Sequence, residues 1–293
     1  MVARAAARDE DAAVIHSRRL PVGRLAVLAT LAVGIFVLAR PGVAPRWRTL
    51  APGLEFTLMR GDPYCRRGSP EIAVLRIDPA RATIAVHHYT QRTEQRPLSI
   101  VEWMRATGAV AAFNAGQYYP DYSYMGMLVS GGRAIFARPH PEFRAALVAD
   151  PVGGGAGAHV LDLAPDSLVN VARAWREVAQ SFMLFDRSGN VRVRQSGQES
   201  NRTVVAEDRL GRLLVLTSEG GYTLWEFARW LQDSKLEVAH AMSMDGGLEA
   251  ELCVHAGRFA YASFGHWNPR TGPGADSEGG RVPLPAVITV SAR

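Results

Sequence analysis

Cysteine is scarce in this sequence: only Cys65 and Cys253 occur among 293 residues, so a multi-bridge disulfide scaffold is excluded. Cys65 sits in a polar loop (GDPYCRRGSP) and Cys253 alternates with apolar neighbours, so both are expected as unpaired thiols, with Cys253 a small core residue. Lysine is scarcer still, with Lys235 alone among arginines. Metal-ligand spacing is missing as well. His240, His255 and His266 fall into no metal motif, and His87 and His88 point to opposite faces of a strand, so neither a metal nor another cofactor is expected. No internal repeat occurs, and the GGGAG at 153–157 lacks the strand-to-helix setting of a phosphate loop. Excess charge is absent from most of the chain too. Of the formal +5, residues 1–50 supply all, as eight arginines against Asp9, Glu10 and Asp11, which leaves 25 basic and 25 acidic residues beyond. A neutral body offers no phosphate-backbone footprint, so no nucleic-acid partner is expected.

What is present is enough for one domain. A 47% apolar composition over this length builds a core that needs no metal or disulfide. Residues 25–39 (LAVLATLAVGIFVLA) form an uncharged run of 15 between Arg24 and Arg40. That is short of the roughly 20 residues of a full span, but basic flank, apolar run and then Pro41 and Gly42 form the pattern of a signal-anchor or signal peptide. The expected organisation is a basic cytoplasmic terminus at 1–24, the anchor or signal at 25–40, a linker and first strand at 41–69, and a domain at 70–293. Arginines ahead of the run would keep the terminus inside and send the remainder across, giving an inner-membrane-anchored domain facing the periplasm or outside, or a secreted one.

Within the domain, 71–77 and 83–89 read as a hairpin about Asp78-Pro79, and 97–107 as a helix ended by Gly108. Strands follow at 109–113, 125–129, 134–137, 145–149 and 159–163, then a helix at 167–180 and a strand pair at 181–185 and 191–193. Residues 203–207 and 213–217 flank a turn, and 223–232 is an amphipathic helix whose Thr223 and Glu226 form a capping box. Strands at 238–244, 251–255, 259–263 and 286–290 complete the chain, with a Gly- and acid-rich loop at 271–280. Strands outnumber helices and most are hairpin-linked. The fold class is therefore α+β: a mixed, largely antiparallel sheet packed with a few helices.

Three stretches share one design, a hydrophobic strand meeting polar residues and glycine at its tip: AAFNAGQYY at 111–119, SNRT at 200–203 and AMSMDGG at 241–247. Strand ends place side chains rigidly, and glycine lets a ligand approach the backbone. Asp245 is thereby a buried carboxylate delivered to a tip, Arg202 a planar cation able to fork onto phosphate, and Asn114 a hydrogen-bonding amide. The amides of Gly116, Gly246 and Gly247 are candidate anion donors, Tyr118 an aromatic surface able to stack on a ligand, and Glu219 and Glu249 the candidate second carboxylates. Each has a structural alternative: Arg202 pairing at a sheet edge, Asn114 forming a turn, and the group Tyr118, Tyr119, Tyr122 and Tyr124 covering the core. His140, between Pro139 and Pro141, is rigidly placed.

In this order the motifs resemble the phosphodiester glycosidase family. The likeness runs over roughly 72–290 and is carried by FNAGQYYPD at 113–121, QSFML at 180–184, NRTVVAEDRLGRLLVL at 201–216, TSEGGYTLWEFARWLQD at 217–233, AHAMSMDGGLEAEL at 239–252 and RVPLPAVITV at 281–290. The resemblance implies hydrolysis of a sugar-1-phosphate diester on its sugar side, in a cell-envelope or exported glycan, through an oxocarbenium-like transition state. It implies Asp245, Arg202 and Asn114 as catalytic residues and adds Gln180 and Thr203 to the substrate-binding set. Two departures stand out. Leu248, Glu249 and Ala250 follow Asp-Gly-Gly where the family commonly has Gly and then Ser or Thr, and Ser181, Phe182 and Met183 stand where it often has Ser-Gly-Pro. These departures leave a second reading open, a glycan-binding module of exopolysaccharide assembly or export that lacks turnover.

Overall fold

The computed structural model describes residues 44–163, 168–268, 272–273 and 282–293. The expected terminus and anchor at 1–40 lie outside these residues, as does most of the 271–280 loop. No helix among the described residues is long and apolar enough to cross a membrane. The strands are β1 (Arg48–Ala51), β2 (Leu54–Arg60), β3 (Glu71–Ile77), β4 (Ala82–His88), β5 (Ala111–Asn114) and β6 (Leu128–Ser130). Next come β7 (Arg133–Phe136), β8 (Ala145–Pro151), β9 (Ala158–Asp162), β10 (Trp175–Phe185), β11 (Arg202–Asp208) and β12 (Leu213–Ser218). The last six are β13 (Val238–Gly246), β14 (Leu252–Ala256), β15 (Phe259–Ser263), β16 (Trp267–Asn268), β17 (Gly272–Pro273) and β18 (Ala286–Ala292). Helices are α1 (Ile100–Thr107), α2 (Leu168–Ala174) and α3 (Leu224–Asp233).

Two sheets dominate. The larger runs β1-β2-β3-β12-β11-β13-β10-β6-β7, with β8 and β9 branching from β10; the smaller runs β15-β14-β5-β18-β4. Every pairing among the described residues is antiparallel, so the expected mixed sheet is instead two antiparallel ones. The stretch 41–69, expected to hold a linker and a first strand, contributes both β1 and β2, with Leu54, Phe56 and Met59 buried.

Period-two patterning decides which side chains meet. Leu75, Val205, Leu213, Val215, Met242 and Met244 of the larger sheet face Phe113, Leu252, Val254 and Ile288 of the smaller one across the main core. The alternate positions, Val74, Val204, Ala206, Leu214 and Leu216, form the outer face, where Phe227, Trp230 and Leu231 of α3 cover them. Further along that face α2 covers Val148 and Val178, and α1 packs Trp103 on the far side of the smaller sheet. The helix ends follow their sequence signals. Ser99 and Glu102 make a reciprocal cap on α1, which stops at the left-handed Gly108, and Thr223 and Glu226 cap α3 in the same way.

Three expectations fail here. Segments 71–77 and 83–89 are not a hairpin, because β3 pairs with β2 and β12 while β4 pairs with β18 in the other sheet. Asp78-Pro79 carries the chain between sheets. The expected helix at 167–180 is helical only to Ala174; from Trp175 the chain is the central strand β10, fixed by six register pairs with β8. Segment 191–193, expected as a hairpin strand, touches β10 through a single bridge between Phe185 and Val191.

Candidate active site

Strands β11 and β13 run side by side until their last residues, where the register slips. Val204 lies opposite Ser243, but Arg202 lies opposite Gly246, so three steps of β13 match two of β11. The extra residue is a β-bulge, a device that re-aims a side chain and ends a ladder. It falls between the Val204–Ser243 and Arg202–Gly246 pairs, at the strand tip that carries Asp245. Glycine is required at both following positions for different reasons. A Cβ on Gly246 would sit 2.8 Å from the Asn201 carbonyl oxygen. Gly247 has φ of 82°, a left-handed backbone that favours glycine, and starts the short 3-10 turn ending at Glu249.

Asn114 ties this tip to the other sheet. It ends β5 and is buried; its Nδ2 donates to the Asp245 carbonyl at 3.0 Å and to the Ala115 carbonyl at 3.2 Å. Its Oδ1 accepts from the Glu251 N–H at 3.1 Å, and the Asp245 N–H donates to the Ala115 carbonyl at 3.1 Å. The amide of Asn114 is thus held by backbone at three of its four hydrogen-bonding positions: it positions Asp245.

The electrostatics set a raised carboxyl beside a second carboxylate and a guanidinium. Asp245 keeps some accessible surface but lies deep, and desolvation raises its carboxyl to about 7; the charge of Glu249 adds to the rise, while the Gly246 N–H and Arg202 oppose it. The Gly246 N–H donates to Asp245 Oδ1 at 2.8 Å. Glu249 accepts from the Tyr118 hydroxyl at 3.2 Å, and burial together with Glu249 and Asp245 pushes the phenol of Tyr118 well above its ordinary value. Burial lowers Arg202 to about 10, with Asp245 opposing the fall. Its Nε donates to the Tyr222 carbonyl at 2.9 Å and one terminal nitrogen to the Gln198 carbonyl at 2.7 Å. The second terminal nitrogen, Nη1, lies beside Gly246. Two backbone anchors therefore fix the guanidinium and leave its far edge for an anion.

Asn114, Arg202, Asp245, Glu249, Tyr118, Gly246 and Gly247 come together in this way. Other expected site residues do not join them. Gln180 is fully buried, and each of its amide atoms already makes two hydrogen bonds. Thr203 is buried one residue after Arg202, so strand alternation turns it toward the inter-sheet core. Glu219 turns the same way beside Glu71, where burial raises both carboxyls. The three glycine amides expected as anion donors are engaged internally: Gly116 with the Tyr124 hydroxyl at 3.1 Å, Gly246 with Asp245, and Gly247 with the Asn201 carbonyl at 3.0 Å.

Asn201 and Tyr124 act as supports, a role that the sequence did not assign to either. Asn201 Nδ2 donates to the carbonyls of Ser218 and Glu219, and the Tyr124 hydroxyl donates to the Gln180 carbonyl. The signal for Asn201 was its place beside Arg202, and that for Tyr124 its place in the aromatic group with Tyr118, Tyr119 and Tyr122. The thiols of Cys65 and Cys253 are free. No group of three or more His, Cys, Asp or Glu among the described residues is arranged to hold a metal.

Two antiparallel sheets bring two carboxylates and a guanidinium to one strand tip, and the sequence comparison gives the family in which this arrangement sits. The phosphodiester glycosidase family profile matches residues 107–290, and the chain belongs to that family. Among solved structures it is similar to the catalytic domain of zebrafish N-acetylglucosamine-1-phosphodiester alpha-N-acetylglucosaminidase, auto-inhibited by its pro-peptide. The TM-score is 0.61 at 17% identity, covering 86% of this chain and 87% of that one. A hypothetical protein from Synechocystis aligns with a TM-score of 0.57 at 14% identity, covering 85% and 64%. A putative exported protein from Burkholderia pseudomallei aligns with a TM-score of 0.51 at 12% identity, covering 78% and 76%. At these identities the structural likeness speaks for the fold. No curated protein matches the sequence.

Proposed function

We propose that the chain is a phosphodiester glycosidase that hydrolyses a sugar-1-phosphate diester on the sugar side. The observation that carries this reading is Asp245, a carboxyl held near 7, framed by both sheets and set between Glu249 and Arg202. In the proposed reaction water attacks the anomeric carbon as the bond from that carbon to the phosphate oxygen breaks. The bonding pair leaves on the phosphate, and the water proton passes to Asp245. A base with a pKa near the working pH suits that transfer. Glu249, held by the Tyr118 hydroxyl, faces the positive charge that develops on the sugar ring. The departing phosphate is a weak base and needs a cation more than an acid, which Arg202 supplies.

The test is incubation with a panel of sugar-1-phosphate diesters, with release of free sugar measured. No release by the wild type, or undiminished release by Asp245→Asn, refutes the reading. A second reading, a glycan-binding module without turnover, is favoured by the engagement of all three glycine amides within the protein. Glycan retention with no hydrolysis over a long incubation supports it. The apolar run at 25–39 behind Arg18, Arg19 and Arg24 supports action on an envelope or exported glycan beyond the membrane. Reporter fusions active only outside the cytoplasm test that placement.

A further inference from the structure

Gln180 does more than fill the core. Its Oε1 accepts from the N–H of Met127 at 2.9 Å and of His140 at 3.0 Å, and its Nε2 donates to the carbonyls of His140 at 3.0 Å and Phe143 at 2.8 Å. One saturated side chain thereby pins both ends of the turn at 140–143 against β10. The pinned turn builds an aromatic stack. The His140 ring lies on Phe143 with centroids 4.0 Å apart and planes at 27°, and Phe143 meets Phe182 at 4.3 Å. Phe143 is buried in the middle, while His140 and Phe182 each keep part of their surface open.

Register places this stack relative to the acid. Phe182 lies opposite Ser243, and Ser243 opposite Val204, so all three share the outer face of the larger sheet. Arg202, the next alternate position on β11, belongs to that face too. Strand β13, which carries Asp245, runs between β10 and β11. Neighbouring strands lie about 4.8 Å apart and two residues advance about 6.7 Å along a strand, so the positions of the ring on β10 and the guanidinium on β11 stand roughly 12 Å apart on either side of the acid's strand. That is the span of one pyranose and its phosphate.

We infer that Phe182, backed by His140, is the sugar-binding wall of this site, taking the C–H face of the pyranose while Arg202 takes the phosphate. The inference rests on the proposed function and deepens it by orienting the substrate: sugar toward β10, phosphate toward β11. Phe182 is then a specificity residue, because what the ring excludes depends on substituents on the face that lies against it.

The test compares two substitutions of similar volume. If the ring stacks on sugar, Phe182→Leu raises KM for the sugar-1-phosphate methyl diesters of glucose, N-acetylglucosamine or mannose by about tenfold and kcat carries little of the loss, while Phe182→Tyr restores KM. If Phe182 only fills space, Leu serves as well as Tyr; an unchanged KM in Phe182→Leu, or an equal loss in both variants, overturns the inference. His140→Ala provides a second, partly exposed position and should raise KM by about threefold. A readout without turnover separates this inference from the reaction itself. Saturation-transfer NMR of the corresponding methyl glycosides on the Asp245→Asn protein should show contact at ring C–H positions that disappears when Phe182→Leu is added. If the wild type cleaves none of the diesters the proposed function fails, whereas transfer that is absent, or that survives Phe182→Leu, removes the sugar wall alone.

Discussion

Replacing Asp245 by asparagine should stabilise the protein while silencing the site. Burial, reinforced by Glu249, raises this carboxyl to about 7 in the folded chain. In the unfolded chain the same group titrates near 3.9. Between roughly pH 4 and pH 7 the folded state therefore holds a proton that the unfolded state has released. Stability falls as pH rises through that window, and the full deficit is present above about 7. At about 1.4 kcal/mol per pKa unit the deficit is at most on the order of 4 kcal/mol, and water reaching part of the side chain reduces the expectation to about 2 kcal/mol. Asparagine keeps an oxygen for the Gly246 N–H, which donates at 2.8 Å in the wild type, and removes the buried charge.

For a domain of this size about 1 kcal/mol corresponds to roughly 2–4 °C, so Asp245→Asn should melt about 4–8 °C higher at pH 8. Urea unfolding followed by tryptophan fluorescence at pH 4.5, 6 and 8 gives the free energies directly. The stabilisation should be small at the lowest pH and grow toward the highest. A variant less stable than wild type at pH 8, or a gain independent of pH, refutes the claim that a desolvated carboxylate is held here. The same experiment separates a strained functional group from an ordinary turn residue, because an Asp in a solvated Asp-Gly turn would show no such slope.

Four further outcomes follow from the site. The kcat/KM for diester hydrolysis should climb about tenfold per pH unit below 7 and level off above it, since the carboxylate form of Asp245 takes the water proton; a flat profile from pH 5 to 8 contradicts that role. Arg202→Lys should lower kcat/KM by about a hundredfold, because an ammonium cannot hold the Tyr222 and Gln198 carbonyls and still present an edge to phosphate. Tyr118→Phe removes the hydroxyl on Glu249 and should cost about tenfold in kcat/KM with the urea midpoint unmoved. Gln180→Ala leaves backbone groups of Met127, His140 and Phe143 without partners and should cost about 3 kcal/mol in urea unfolding.

The stop of α1 at Gly108 and the start of α3 at Thr223 and Glu226 were legible because these signals are local, whereas α1 begins after the Ser99–Glu102 cap and not at the expected 97. Strand alternation was equally legible in β11, β12 and β13. Sheet membership was not. Glu71–Ile77 and Ala82–His88 sit next to each other in sequence, yet their partners lie at 213–218 and 286–292. Residues 175–180 carry a pattern that suits a helix, and only pairing with β8 makes them a strand. Local propensity is a weak prior, and six register pairs outweigh it.

The site shows the same boundary between residue type and aim. Asp245, Arg202, Glu249, Tyr118 and Asn114 were readable as groups able to do this chemistry. Where each one points was not, because aim depends on contacts between distant strands. Asn114 and the Asp245 carbonyl it holds are 131 residues apart, and that bond turns a candidate ligand-binding amide into a support for the acid. Gln180 looked like a substrate contact and is instead the clamp of the 140–143 turn. The bulge at the tip of β13 is the sharpest case. In the sequence it is one residue too many for a register that cannot be counted until β11 is known to be the partner. In the fold it sits at the tip that carries Asp245, so the residue most exposed to error in a strand reading is the one on which the proposed chemistry depends.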